Sequence, residues 1–569
     1  MAAGQTVGTH PADGRLAGFR LFVVASAVYL LCMIPFFVAY LPHLTTSLVG
    51  PPVDNMNDFW DTWYSQKIWD AGGHGFFFTR LIRYPEGVPL YYHSFAFSDL
   101  LAILLIRKVF HLSEGVHVLA GLHNSMLLAS LYLSALGAFY VARRFTRHTV
   151  AALLAGFIFG FSPFHLAHFL NHMNVATIEF IPFFVLCFFR AVETGRPRHL
   201  AGAIFFYFLN AISSWYYFFF VTYFLVFYYA YQAVRQRKLI LPGLLRTVAG
   251  CVAAVLLLLS PILVPMVSLG WSNPEVSAPG GGKFVADVLG YFVFHPYHEL
   301  ARVGEPIFRH FTGDFPEMTV YLGLVNIGLF AWAFFHRRQF QFREMPFLVS
   351  GILVFAMIAS GPYLHVYGHA ILPLPLLPLE HVPFFSNVVA KARAIVFVYL
   401  LFGIGAGLGV DGVILWFRER GRSPAVCLAP LLLLAYLDYY PPGLVDTPVE
   451  CPRAYSILAA DPDTDFGVLD LPRGYLQSNA YMMYQASHHR PIVDATISRR
   501  MAKTLYAVLE TEDMQAQKRQ LTEKKVKYIF LHHDWMSEQD PGERVDIAAY
   551  GKTYPAVYYD DNCVVFRVY

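Results

Sequence analysis

Between Phe22 and Tyr440 the chain passes through one apolar, aromatic-rich stretch after another, each close to a bilayer crossing in length. With 56% hydrophobic and only 14% charged residues and a mean hydropathy of +0.46, against roughly 25% charge in soluble chains, such stretches can be buried only in lipid or against one another. Basic clusters punctuate them: Arg143, Arg144 and Arg147; Arg190, Arg196 and Arg198; Arg235, Arg237, Lys238 and Arg246; Arg337, Arg338 and Arg343; Arg418, Arg420 and Arg422. Five basic breaks alternating with basic-poor ones are the mark of cytoplasmic and external turns. The first run, 22–41, follows Arg15 and Arg20, is too long for a signal-peptide core and has no small-residue cleavage site after it, so the N-terminus is expected inside. Spans near 21–42, 116–142, 150–163, 175–190, 200–213, 215–233, 247–268, 319–335, 346–361, 391–416 and 424–440 give about eleven crossings and an external C-terminus. Residues 95–110 are apolar enough to span, but counting them would invert every later basic turn. They are expected to lie along the outer face, as a juxtamembrane or re-entrant helix.

Charge divides the chain in two. Residues 442–569 hold 32 charged residues in 128, a soluble composition, whereas the first 441 hold 49. This predicts a helical membrane domain over 1–441, with external loops 43–115, 164–174, 269–318 and 362–390, and a small external α/β domain over 442–569. β-like runs in the latter occur at Phe466–Leu471, Pro491–Ala495, Val526–Leu531 and Ala556–Tyr569, with a polar helical stretch around Arg499–Lys525. A net charge of +3 excludes nucleic acid as a partner. Six cysteines without a CxxC pair make neither a zinc ribbon nor a redox motif. Cys451 and Cys563, near the two ends of the tail, leave a disulfide open. No internal repeat is visible.

Chemistry concentrates in the first external loop. Asp54, Asp58 and Asp61 fall at i, i+4 and i+7, one face of a helix, among Trp60, Trp63 and Tyr64. Like charges so close raise at least one pKa, which suits a general base, although an interfacial helix with a wet acidic side has the same pattern. Arg80 and Arg83 follow, ahead of Tyr84-Pro85-Glu86-Gly87, and arginine is the residue for bidentate phosphate contact; an external phosphate-bearing lipid would meet them. A second constellation, His165, His168, Asn171, His172 and Asn174, lies in the 164–174 turn, with Glu179 just beyond. It is expected to hydrogen-bond sugar or phosphate. Lys391 and Arg393, at the outer start of the tenth span, are further phosphate candidates. In the tail, His488-His489 and His532-His533-Asp534 read as surface residues.

The run from Asp54 through Trp60 and Trp63, then Tyr84-Pro85-Glu86-Gly87-Val88-Pro89-Leu90 to His93, then Ser162-Pro163-Phe164 to Asn171-His172-Met173-Asn174, then Ser213-Ser214-Trp215-Tyr216-Tyr217, resembles GT-C membrane glycosyltransferases. These include protein O-mannosyltransferases and aminoarabinose transferases, and the similarity covers roughly residues 20–420. The glycine expected before the acid is Val53 here. The resemblance implies a bacterial inner-membrane enzyme. It would move a sugar from a polyprenyl-phosphate donor to an acceptor hydroxyl on a glycan, lipid or protein, with inversion. Asp54 would be the base, with Asp58 and Asp61 in reserve. Arg80, Arg83, Lys391 and Arg393 would hold the donor phosphate, and Tyr84, Glu86, His93 and the histidine-asparagine turn would contact substrate. Some such enzymes use a divalent metal, Mg or Mn, and others none. The alternative class, a flippase of a lipid-linked glycan, requires polar residues deep in mid-membrane helices and repeat symmetry.

Overall fold

The computed structural model describes residues 11–273, 283–382, 388–440, 443–498, 504–536 and 545–569. Helices occupy all eleven expected segments, the intervening outer one and two stretches beside them, Asp54–Asp70 and Pro163–Phe169. They are α1 (Pro11–Cys32), α2 (Asp54–Asp70), α3 (Phe97–Phe110), α4 (Val116–Ala142), α5 (Thr149–Gly160), α6 (Pro163–Phe169), α7 (Phe180–Thr194), α8 (Pro197–Ser213), α9 (Trp215–Gln236), α10 (Pro242–Ser272), α11 (Leu324–Phe335), α12 (Met345–Ala359), α13 (Ile395–Glu419) and α14 (Ala425–Asp438). Among the described residues five helical stretches are long and apolar enough to cross a membrane, or seven if two bent pairs are each one span. α11, α12 and α14 are shorter apolar helices.

Glycine spacing explains which helices meet. α13 carries two small-xxx-small faces. A Cβ at Gly403 or Gly407 would meet the Ala155 and Ala151 carbonyls of α5 at 3.0 and 2.6 Å, and one at Gly409 would meet the Leu329 carbonyl of α11 at 2.1 Å. Backbones can approach this closely only where side chains are absent. α13 is therefore clasped between two partners and buried along its apolar length. Gly160 plays the same part for α5 against α4, where a Cβ would lie 2.6 Å from the Ala135 nitrogen.

The first loop and the tail are tied together. Strand β1 (Ser47–Val49) pairs antiparallel with β2 (Asp446–Pro448), and Asn124 of α4 bonds the Val49 nitrogen at 3.0 Å and the Ser47 carbonyl at 2.7 Å. Beyond lies a four-stranded sheet in the order β3 (Gly467–Leu471), β4 (Val526–His532), β6 (Cys563–Arg567), β5 (Ala556–Tyr559). β3 and β4 are parallel and the other pairings antiparallel. β3 and β4 are buried almost throughout and read as near-continuous apolar runs, as parallel strands covered on both faces do. Helices α15 (Tyr475–His488) and α16 (Met514–Glu523) accompany the sheet. α15 packs on α2, where Trp60 Nε1 donates to Gln485 Oε1 at 2.7 Å. Of the expected polar helical stretch, 499–503 lie outside the described residues and α16 is its helical part. Cys451 is a free thiol, so the two cysteines of the tail are not bridged, and Cys563 lies within the sheet core. His532 is buried and not on the surface, beside Tyr455 and Asp470, and His488 is half-buried.

Candidate functional site

Gly50, at φ +96°, lies so close to the Leu170 carbonyl that a Cβ there would come within 1.8 Å. This contact brings the start of α2 against the turn after α6. Asp54 is the first residue of α2, where the exposed N–H groups of a helix favour negative charge. Its Oδ2 meets His172 Nε2 at 2.8 Å. Its Oδ1 accepts from the Tyr475 hydroxyl and from Asn479 Nδ2 at 3.4 Å, both on α15. Burial opposes ionisation of Asp54. The bonds from His172 and Tyr475 and the charge of Arg393 outweigh it, so the carboxyl sits below its usual range. His172 is shifted up as its partner: burial pulls it down, and Asp54 more than compensates.

Asp54, Asp58, His93, His172, Asn174 and Arg393 line one cavity of about 410 Å³. Its other walls are of two kinds. Ala211, Ile212, Trp215, Phe219, Leu259, Ile262, Leu263 and Met266 make an apolar side from α8, α9 and α10, and Asn57, Ser94, Tyr475, Thr496 and Ser498 make a neutral polar side from the loop and the tail. Asp58 Oδ2 accepts from the Met173 nitrogen at 2.6 Å. Burial and the neighbouring Asp61 push its carboxyl up to about 7, so it is part protonated at neutral pH.

Arg393 stands where a short helical turn enters α13. Its Nε donates to Glu317 Oε1 at 2.7 Å, Nη2 bonds the same oxygen, and the guanidinium lies 4.4 Å over the Tyr216 ring. Glu317 Oε2 is 3.9 Å from His168 Nε2, and His168 Nδ1 is 3.1 Å from His172 Nδ1. A polar line thus runs Asp54, His172, His168, Glu317, Arg393 through buried surroundings. Sequence reasoning missed Glu317 and Tyr475. The signal for Glu317 was an acid at the membrane end of the 269–318 loop; Tyr475 had none.

Several candidates are placed elsewhere. Asp61 is 4% exposed and its Oδ1 meets His93 Nε2 at 2.7 Å, so it is sequestered behind the cavity rather than lining it. Arg80 is exposed and Arg83 lies by Asp494 and Arg473 of the tail. Tyr84 packs on the tail core, and Glu86 pairs with Lys524 at 3.4 Å. Lys391 pairs with Glu380 at 2.9 Å. None of these five lines the cavity. His165 bonds the Gly160 carbonyl at 2.7 Å, Asn171 bonds the Ala167 carbonyl and Tyr297, and Glu179 accepts from Ser130 at 2.6 Å. These are structural contacts, made because a helix bend frees backbone groups that buried polar side chains must satisfy.

Among the described residues no group of three or more His, Cys, Asp and Glu side chains is arranged to hold a metal ion. Asp54 is taken up by His172, Tyr475 and Asn479, Asp61 by His93 and Glu317 by Arg393. This donor set does not fit a resident Mg or Mn.

The family model described as "Domain of unknown function (DUF6311)" matches residues 73–439, well over half of the chain. The chain belongs to this family. Its matched stretch holds His93, His172, Glu317 and Arg393, while Asp54 and Tyr475 lie outside. No curated protein matches the sequence. Among solved structures, the Archaeoglobus fulgidus oligosaccharyltransferase in its apo form is similar at 12% identity and TM-score 0.53, over 95% of this chain and 72% of that one. The same organism's oligosaccharyltransferase AglB, solved with an inhibitory peptide and a dolichol-phosphate, gives 11%, 0.52, 95% and 72%. The mycobacterial arabinofuranosyltransferase AftD gives 13% and 0.53, over 96% of this chain but 41% of that one. The fold of this family member is that of the GT-C glycosyltransferases.

Proposed function

We propose that the protein transfers a sugar from a polyprenyl-phosphate donor to an acceptor hydroxyl, with inversion, at the external face of a bacterial inner membrane. The observation that carries this reading is that an ionised carboxylate, a cation and an apolar wall converge on one cavity. Asp54 and Arg393 line it together with the side of α10, whose outer surface is largely unpacked.

In this reading the lipid chain lies along the apolar side formed by α8 to α10. Arg393 has two of its nitrogens on Glu317, which orients it; the remaining N–H groups of its five-donor fork meet the donor phosphate. Asp54 takes the proton from the acceptor hydroxyl, the acceptor oxygen bonds the anomeric carbon, and the bond from that carbon to the phosphate oxygen breaks. The lipid phosphate leaves against Arg393. His172 holds Asp54 in place and keeps it ionised, and Asn174, whose amide has no partner among the described residues, is available to the sugar. Residues 1–441 form the membrane domain, with eleven crossings and an internal N-terminus, and 442–569 an external α/β domain that closes the acceptor side. DUF6311 membership brings no activity of its own to this reading. The structurally similar oligosaccharyltransferase AglB was solved with an inhibitory peptide and a dolichol-phosphate, which is consistent with a lipid phosphate donor here. The flippase alternative gains nothing, since the buried carboxylates Asp99, Glu179 and Asp411 are all satisfied by serine, threonine, backbone or histidine partners.

The test is transfer from a panel of radiolabelled polyprenyl-phosphate sugars by the purified protein in lipid, wild type against Asp54→Asn. Transfer or slow donor hydrolysis that vanishes in the folded variant is the expected result. Equal turnover in both would remove Asp54 from the base role, and panel-wide binding without turnover would replace transfer with transport.

A further inference from the structure

If Asp54 is the base, one of its oxygens must be open to the acceptor hydroxyl at the moment of transfer. Oδ2 cannot be that oxygen without breaking the 2.8 Å contact to His172, a half-buried residue backed by the fully buried His168. Oδ1 is different. It is covered by Tyr475 and Asn479, both at the start of α15 in the tail, 421 residues and more along the chain. Asn479 is fully buried and held at 3.4 Å, and its Oδ1 also faces Asn57 Nδ2 at 3.5 Å, so it belongs to the packing of α15 on α2. Tyr475 is 57% exposed and lines the cavity. Its preceding residue, Gly474, is extended backbone that ends a loop rather than a helix. The Tyr475 hydroxyl therefore donates its proton to the candidate base from the cavity side, on a side chain that is more exposed than buried.

We propose that Oδ1 of Asp54 is the acceptor seat and that Tyr475, contributed by the tail, occupies it in the resting protein and yields it to the incoming hydroxyl. This rests on the transferase reading above and extends it, because it assigns the acceptor to the part of the cavity lined by Asp54 and Tyr475 and makes the tail part of the site. The other groups facing Asp54 do not compete for that place. Asp58 lies one turn along α2 on the Met173 nitrogen, Arg393 is tied to Glu317, and His172 holds the opposite oxygen. The same cavity is lined by His93 and Ser94 of the loop and Ser498 of the tail, where Ser498 Oγ meets Ser94 Oγ at 2.8 Å and His93 Nδ1 at 3.3 Å. Tyr475 is a positioning residue here: it touches the base and does not enter the bond changes.

The test is the acceptor dependence of transfer in Tyr475→Phe. Removing a hydroxyl that competes for a carboxylate oxygen is expected to lower the acceptor KM and raise kcat/KM for the acceptor by about tenfold. Structural damage would move kcat/KM the other way. A fall, or no change, overturns the proposal. A second arm needs no substrate. Labelling of Asp54 by a water-soluble carbodiimide, followed by peptide mass spectrometry, is expected to run on the order of tenfold faster in Tyr475→Phe than in wild type, and equal rates overturn the proposal as well. Full transfer by Asp54→Asn would sink the transferase mechanism while the labelling arm still reported whether Tyr475 covers Oδ1.

Discussion

Two aspartate–histidine pairs sit in different parts of this protein with nearly the same geometry, Asp54 with His172 at 2.8 Å and Asp411 with His148 at 2.7 Å. Asp411 lies in α13 and is wholly buried; its oxygens accept the Arg147 nitrogen at 2.6 Å and the His148 nitrogen at 3.0 Å. Those are the first unpaired N–H groups ahead of α5, so the carboxylate acts as a cap supplied from another helix. Asp54 has only side-chain partners, drawn from the turn after α6 and from the tail, and it opens on a cavity. Backbone partners cannot leave without unfolding the helix end, whereas side-chain partners can exchange for a ligand. The kind of partner, not the presence of a pair, separates a site from a brace.

Substituting each pair in turn would test that difference. The largest effect is expected at Asp54→Asn, with transfer reduced by about 10²–10⁴-fold and little loss of thermal stability, read by radiolabelled product and an unfolding scan. Asp411→Ala should do the opposite. It leaves a helix end and a histidine uncompensated at a cost of about 3 kcal/mol, measured as a lower Tm, while transfer per folded molecule persists; loss of transfer without loss of stability would erase the distinction.

Asp58 sharpens the comparison through pH. Its folded pKa is raised to about 7, burial being the main cause and Asp61 the next. A carboxyl shifted up favours the folded state in its protonated form. That contribution is complete below the ordinary carboxylate range and is lost as pH climbs through about 7. Asp58→Asn should therefore gain on wild type as pH rises from 5 to 8, by about 1–3 kcal/mol at the upper end, in denaturant titrations. A constant difference across that range would refute the shift. Smaller still, Trp60→Phe removes the indole donor to buried Gln485 and should cost about 1 kcal/mol. Lys524→Ala, breaking a half-exposed pair with Glu86, should change stability by less than about 0.5 kcal/mol. A large effect from the last would mean that the loop and tail are held by that edge rather than by α2 and α15.

The sequence carried the local facts. Apolar length and composition located the long apolar helices of the membrane region, though not α15 of the tail, and the spacing of Asp54, Asp58 and Asp61 suited a helix, α2. His172 and Arg393 were named from their residue types and their place at helix ends, and both reach the cavity. Helical spacing could not divide the three aspartates, because which face looks into a cavity and which onto His93 depends on packing by residues far away. Arg80, Arg83, Tyr84 and Glu86 stood in the right loop but turn toward the tail, whose sheet and α15 compete for that surface. Glu317 and Tyr475 reach the site from segments with no motif to mark them. Hydropathy and periodicity are summed over neighbours in the chain, so they report where a helix forms and which residues are costly to bury. The partner that satisfies a buried charge is selected by close packing between distant segments. For Asp54 those partners come from more than a hundred and more than four hundred residues away, and their meeting is written in the glycines of α5 and α13 and in the pairing of β1 with β2, not in the acid itself.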